Sequence, residues 1–263
     1  MHETHTSNGR QTGLEAPTRN HYFYGQLLGV HNFELETDYA IQFRRLLNRL
    51  VSGYGVVCGL GVLLNDAGTK VAIAPGVAID GRGREIVVGE KTPWIAIPDD
   101  VVTAAIERAG DCRDDACVQV LICYHECLSD PVPVLAGDCC TVEPCAPSTI
   151  REQFRIEFRS DCAPKHEPSC RVPNPFGGGR LDYDQLAKWV TYERRCVRLP
   201  GDPCVPLANL AITDFDTNPH CNPDGIDITV RPILPSNVLL SELILALLGR
   251  EREEHYHDEG AER

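Results

Sequence analysis

Between Phe33 and Val51 the apolar residues Leu35, Tyr39, Phe43, Leu46 and Leu50 recur at spacings of four, four, three and four. That spacing lays one stripe along an α-helix. Asn32 stands at the N-cap position, and Glu34, Glu36 and Asp38 crowd the first turns. Arg44, Arg45 and Arg49 crowd the last, and Gly53 follows where a left-handed residue ends a helix. After Gly53 the pattern becomes that of strands. The Val- and Leu-rich run from Tyr54 to Leu64, the turn Asn65-Asp66-Ala67-Gly68 and the return from Val71 to Ala74 predict an antiparallel pair. Pro75-Gly76 fits the centre of a type II turn, Gly81 and Gly83 turn the chain again, and Arg84 to Val88 closes a small meander. Gly76 and Gly83 are therefore expected to be required at turns.

Pro93 to Pro98 reads as an edge strand, because proline at both ends suits an edge. A short helix follows, capped by Asp99 or Asp100 and ended by Gly110. Val118 to Tyr124 predicts a strand, Cys127 to Ser148 a long loop rich in proline and cysteine, and Arg151 to Arg159 a half-buried strand in which Phe154, Ile156 and Phe158 alternate with charged residues. An irregular stretch from Asp161 to Gly179 precedes a helix from Asp182 to Cys196 and strands at Val205 to Asp214 and Ile226 to Val230. The last element, Ser236 to Leu248, is apolar around nearly all its circumference, with Leu240, Leu243 and Leu247 among its residues. Such a helix is either a central core helix or a contact with another subunit.

The fold class is α+β: a long N-terminal helix packed on an antiparallel β-meander, then a cysteine-rich, loop-heavy α+β part. Residues 1–19 read as a flexible tail, 20–110 as the scaffold, 111–249 as the cysteine-rich part ending in the apolar helix, and 250–263 as a charged tail.

Composition narrows the function. A net charge of -13 leaves no surplus of Lys and Arg to replace counterions on phosphates, which argues against nucleic acid as a partner. No apolar run is long enough to span a bilayer and the first residues are polar, so synthesis and folding in the cytoplasm are expected. The chain has thirteen cysteines, of which only Cys58 precedes Asp111. No pair has the two-residue spacing of a zinc ribbon. Three readings stay open: disulfides that staple long loops, buried reduced thiols, and a thiolate metal site for which Cys112, Cys117, Cys123 and Cys127 are the candidates. No cofactor is otherwise called for; zinc is the ion these thiols allow. Enzyme signatures are missing. His125-Glu126 and His166-Glu167 each lack the second histidine of a metalloprotease helix, and Gly177 to Gly179 lacks the lysine of a phosphate-binding loop.

The string His21-Tyr22-Phe23-Tyr24-Gly25-Gln26-Leu27-Leu28, the run Arg44 to Leu50 leading into Gly55 to Leu60, and Ala74-Pro75-Gly76-Val77-Ala78-Ile79-Asp80 with Gly83-Arg84-Glu85-Ile86 resemble a poorly characterised bacterial family linked to phage-tail-like contractile injection systems. The resemblance covers about the first third of the chain. It implies a non-enzymatic particle component, a cap, baseplate or fibre-attachment subunit, whose partners are other subunits of the particle and copies of itself. Such a particle is assembled in the cytoplasm and can be released. Tyr22, Phe23 and Tyr24 are then expected to form an aromatic anchor, with the 236–248 helix as core or contact. The alternative is a zinc-binding module, or a metal-dependent enzyme, built on the cysteine-rich half.

Overall fold

The computed structural model describes residues 14, 16–110, 116–134, 145–167, 176–177, 180–194, 198–215 and 217–247. The two tails expected at 1–19 and 250–263 lie largely or wholly outside these residues.

Helix α1 spans Val30–Leu47 and runs on as a π-helical turn through Asn48–Ser52. It starts three residues before the expected Phe33, because Gly29 rather than Asn32 is the N-cap; Asn32 Oδ1 accepts the Gly29 N–H at 3.0 Å. None of the α1 residues is buried. Polar groups of its last turns reach the strands. Asn48 Nδ2 donates to Gly83 O at 3.0 Å and Glu85 Oε1 at 2.8 Å, Arg44 pairs with Glu85 at 2.9 Å, and Arg45 pairs with Glu126 at 3.2 Å.

The strands β1 (Gly55–Gly59), β2 (Val62–Leu64), β3 (Lys70–Ile73), β4 (Gly76–Ile79), β5 (Glu85–Val88) and β6 (Ile95–Ala96) form two three-stranded antiparallel sheets, ordered β1-β4-β5 and β2-β3-β6, in place of one meander. The long strand expected from Tyr54 to Leu64 breaks at Gly59 and Leu60, whose φ angles are 64° and 55°. The chain turns a corner there and changes sheets, with Leu60 N–H bonded to Pro75 O at 3.1 Å and Ala74 N–H to Gly61 O at 2.8 Å. Gly76 is not at a left-handed position, so the type II turn is not formed. A Cβ on it would stand 2.4 Å from both Cys58 O and Leu60 N, so the glycine answers a close backbone approach opposite Gly59. Gly83 has φ +82°, and a Cβ on it would stand 2.0 Å from Arg45 O.

Helix α2, Asp99–Ala109, is N-capped by Pro98 instead of an aspartate; Asp99 and Asp100 lie in its first turn, where the helix dipole favours them. It leads to the central sheet, in which β7 (Cys117–Pro133), β8 (Cys145–Arg159), β11 (Val205–Thr213) and β12 (His220–Asp227) are ordered β12-β11-β7-β8 and all antiparallel. Between β8 and β11 lie a two-residue hairpin, β9 (Phe176–Gly177) with β10 (Arg180–Leu181), and a short helix α3 (Tyr183–Lys188) that continues as a π-helical turn to Glu193. Asp182 caps α3 by accepting the Gln185 N–H.

From Cys117 to Tyr124 every residue of β7 is buried. Val118, Val120, Ile122 and Tyr124 point into one hydrophobic core with Val56, Leu60, Val71, Ile73, Ile86, Leu207 and Leu210, so residues from both sides of position 111 share it. The opposite face of β7 is covered by the chain that leaves β8. Asn209, paired with Gln119, donates its Nδ2 to Ala163 O at 2.8 Å and accepts Ala163 N–H at 3.0 Å, while Cys117 and Cys162 form a disulfide. A coverage of this kind needs a pinned strap where a helix is lacking.

The loop expected from Cys127 to Ser148 is corrected in part. Residues 127–133 and 145–148 continue β7 and β8 as a two-stranded ribbon, paired out to Pro133 and Cys145 and almost wholly exposed beyond Tyr124 and Phe154. It projects about 30 Å at the usual strand rise. Pro131 and Pro147 face each other in it. Proline is tolerated because each ribbon strand keeps an open edge that needs no N–H. Asp130, at φ 56°, drops out of the register and is held by Ser129, Thr149 and Arg151.

The last helix, α4 (237–247), has Ser236 as its cap; Ser236 Oγ accepts the Leu239 N–H at 3.2 Å and Ser236 O the Leu240 N–H at 2.9 Å.

Gly83→Ala is expected to cost about 3 kcal/mol, through left-handed strain and the clash with Arg45 O together. Gly89→Ala, where an added Cβ meets nothing within 4 Å, should change stability by less than about 0.5 kcal/mol. Urea unfolding of both variants checks the contrast.

Candidate functional site

Two features stand out on the surface: an arginine-lined cleft on the central sheet, and exposed apolar side chains on α4, on the ribbon and on the segment before α1.

The cleft begins with the turn between β4 and β5. Asp80 is fully buried; its Oδ1 accepts the backbone N–H groups of Arg82 and Arg84 at 2.8 and 2.9 Å, and its Oδ2 accepts Arg84 Nε at 2.7 Å. Arg84 is thereby laid over the Tyr124 ring, 4.5 Å from its centroid, and Arg45 of α1 approaches the same ring at 5.5 Å. Burial pushes the Tyr124 hydroxyl above its usual range, and its hydrogen bond to Glu126 adds to this. That same bond, followed by Arg45, holds the Glu126 carboxyl below the usual range.

On β8 the residues Arg155, Glu157 and Arg159 alternate onto one face, and Arg155 lies opposite Cys123 in the ladder. Glu157 pairs with Arg155 at 2.7 Å and Arg159 at 3.2 Å, and Arg159 also binds Asp202. The Arg159 hydrogen bond holds the Asp202 carboxyl below its usual range. These groups enclose a cleft of about 490 Å³, with Arg82 and the disulfide Cys123–Cys204 in its wall. The Sγ atoms of Cys123 and Cys204 and a carboxylate oxygen of Glu157 lie within 4.8 Å of one another.

The four cysteines singled out in the sequence do not share one site. Cys117 pairs with Cys162 and Cys123 with Cys204, Cys127 is a free thiol on the exposed ribbon, and Cys112 lies outside the described residues. Sequence neighbours were the wrong partners to consider. The fold brings together residues 45 and 81 positions apart, which spacing along one segment does not show. A signal for Glu157 was present in the Arg-x-Glu-x-Arg alternation, which places three charges on one strand face.

The aromatic anchor residues are on the outside. Tyr22, Phe23 and Tyr24 are exposed, and the segment folds back on α1 through the Tyr22 hydroxyl and Asn20 Nδ2, which donate to Glu36 Oε2 at 3.2 and 3.3 Å. Helix α4 is not a core helix: Leu240, Leu243 and Leu247 are 42%, 51% and 63% exposed, and Val238, Ile244 and Leu245 are exposed too. The ribbon adds the cross-strand pair Leu128 and Ile150, both exposed. No helix among the described residues is long and apolar enough to cross a membrane.

No protein-family profile and no curated protein matches the chain. Among solved structures it superposes on a crystal structure of TssK at 11% identity and TM-score 0.36, covering 79% of this chain and 41% of that one. It superposes on a chain of the TssK-TssF-TssG baseplate subcomplex of the type VI secretion system at 9% identity and TM-score 0.37, covering 79% and 60%. A chain of the type VI secretion baseplate complex gives 9% identity and TM-score 0.35, covering 79% and 58%. The chain thus spans about half the length of these structures, and at TM-scores below 0.5 the likeness carries no functional weight.

Burial pushes the Cys221 thiol up to about 12. Iodoacetamide added to native protein at neutral pH is therefore expected to modify the exposed Cys58, Cys127 and Cys145 and to spare Cys221 until denaturant is added. Peptide mapping reads this directly; equal labelling of Cys221 would contradict its burial.

For Asp202 the folded pKa is depressed, so its contribution is present above the ordinary aspartate value near 3.9 and is lost as pH falls through the folded value. Asp202→Asn should flatten the acid limb of stability below about pH 4 and cost less than about 1 kcal/mol at neutral pH, since the pair is half exposed. Thermal melts across pH 2–7 test this.

Proposed function

We propose that the chain is a non-catalytic structural subunit of a phage-tail-like contractile injection particle, an assembly or adaptor component that works by docking. One observation carries the reading: α4, whose apolar side chains cover nearly its whole circumference, lies with Leu240, Leu243, Leu245 and Leu247 exposed on the single chain. An apolar surface on that scale is covered in the working form of a protein. The exposed aromatic segment at Tyr22 to Tyr24 and the apolar pair on the ribbon give further surface of the same kind. The resemblance of residues 21–28, 44–60 and 74–86 to the injection-system family agrees with this reading and supplies the kind of particle. Cap, baseplate and fibre attachment would each use such a subunit.

A second copy of the chain is the proposed occupant of α4. Glu242 is the only charged residue in 237–247, so the overall charge of -13 leaves a self-association through this helix unopposed locally.

Native mass spectrometry of the full chain is expected to show a homo-oligomer of fixed count, and the double variant Leu243→Asp, Leu247→Asp a folded monomer. A wild-type protein that stays monomeric at about 100 µM, well above ordinary dissociation constants for permanent subunits, would overturn the homo-oligomer. Sedimented particles from the producing cell that lack the chain would overturn the assignment to the particle.

A further inference from the structure

Cys123 follows Ile122 in β7, and Cys204 precedes Val205 in β11; Ile122 and Val205 are paired in the ladder. The two cysteines are therefore cross-strand neighbours, with Cα atoms 4.5 Å apart. The sheet holds them together whether or not a bond joins their sulfurs. A staple that shuts a loop would free its ends when cut; these ends stay fixed by the hydrogen bonds between β7 and β11.

We propose that this disulfide is one state of a redox-gated metal site, and that the reduced pair Cys123 and Cys204 binds one zinc-class divalent ion together with Glu157. Three observations carry the assignment. The three donors already lie within 4.8 Å of one another, and in a tetrahedral zinc site donor atoms stand about 3.5 Å apart, so side-chain rotation without backbone movement assembles the set. Arg155 and Arg159 each hold Glu157, in the way that outer-shell partners fix a metal-ligating carboxylate. Arg82, Arg84, Arg155 and Arg159 line the same cleft, an excess of guanidinium over its carboxylates Glu157 and Asp202 that favours thiolate over thiol. Two thiolates and a carboxylate around a dication leave one negative charge, which these guanidinium groups offset.

Access is provided by the cleft. Cys123 is buried, while Glu157 and Cys204 are half-buried on its wall. The fourth coordination position then faces the opening and takes water. Reduction by a thiol reductant delivers two electrons and two protons, breaks the Sγ–Sγ bond, and converts two reductant thiols to their own disulfide. Zinc displaces the two sulfur protons as it binds. A disulfide oxidant reverses the sequence and releases the ion. This site is separate from α4 and does not depend on the docking reading.

The test uses the full-length chain, reduced and then freed of reductant without air, and titrated with Co²⁺ as a spectroscopic stand-in for Zn²⁺. The expected result is a thiolate-to-cobalt charge-transfer band that is present in wild type and Cys127→Ser and absent from the same protein held oxidised. Cys204→Ser should lose the band from this site, and Glu157→Gln should weaken cobalt binding by about tenfold or more. Circular dichroism checks the fold of each variant. Where Cys204→Ser fails to fold, Glu157→Gln decides. A folded Glu157→Gln with wild-type cobalt affinity overturns the proposal, as does a band of equal strength in oxidised protein or in folded Cys204→Ser.

Discussion

The structure hangs on one buried carboxylate. Asp80 accepts two backbone N–H groups and the guanidinium of Arg84 at full burial, which fixes the conformation of the 80–84 turn. A carboxylate taken out of water is costly unless its lone pairs are filled, and here the turn itself and a charged partner fill them. From that turn three parts of the molecule are positioned. Gly83 lets the backbone meet Arg45 of α1, Gly81 N–H bonds to Pro203 O just ahead of β11, and Arg84 is laid on Tyr124 at the base of the ribbon. Helix α1, the cleft and the ribbon all meet there.

Around this hub the molecule divides into an inside that is complete and an outside that is not. The core is filled from both three-stranded sheets and the central sheet, and β7 is buried on both faces as far as Tyr124. Past that residue the same two strands leave the core as a ribbon, and an isolated pair of strands in water is marginal without support. The charged pairs Arg45 with Glu126 and Arg44 with Glu152 sit where the ribbon leaves, at the end of α1. Further out the ribbon carries Leu128 and Ile150 in the open. Helix α4 and the segment before α1 show the same character. The chain buries one set of apolar groups at its centre and leaves another set exposed.

The two disulfides act differently on that centre. Cys117–Cys162 ties down the strap that covers the second face of β7, next to the amide fork of Asn209, and closing a loop of 45 residues stabilises by about 4 kcal/mol on chain-entropy grounds. Cys123–Cys204 joins strands that hydrogen bonds already join, and closing its loop of 81 residues stabilises by about 4.5 kcal/mol on the same grounds. The second pair differs in its place, beside the carboxylate and arginines of the cleft.

Local periodicity determined several of the elements. The four-and-three spacing marked α1, Pro93 and Pro98 framed the edge strand β6, Ser236 marked a cap, and the alternation of Phe154, Ile156 and Phe158 marked β8, because these features depend on neighbours in the chain. Tertiary structure decided whatever depends on distant residues. It broke the strand at Gly59 and Leu60, since the corner exists only where Pro75 and Gly76 cross it. It turned part of a proline-rich loop into ribbon, since pairing between 125–133 and 145–153 is invisible to either segment alone. It matched Cys123 with Cys204 through strand order, and Cys117 with Cys162 through the path of the chain that leaves β8. It also left α4 exposed: a helix apolar around nearly its whole circumference says that it must be covered, and only the packed chain shows that its own core leaves most of it open.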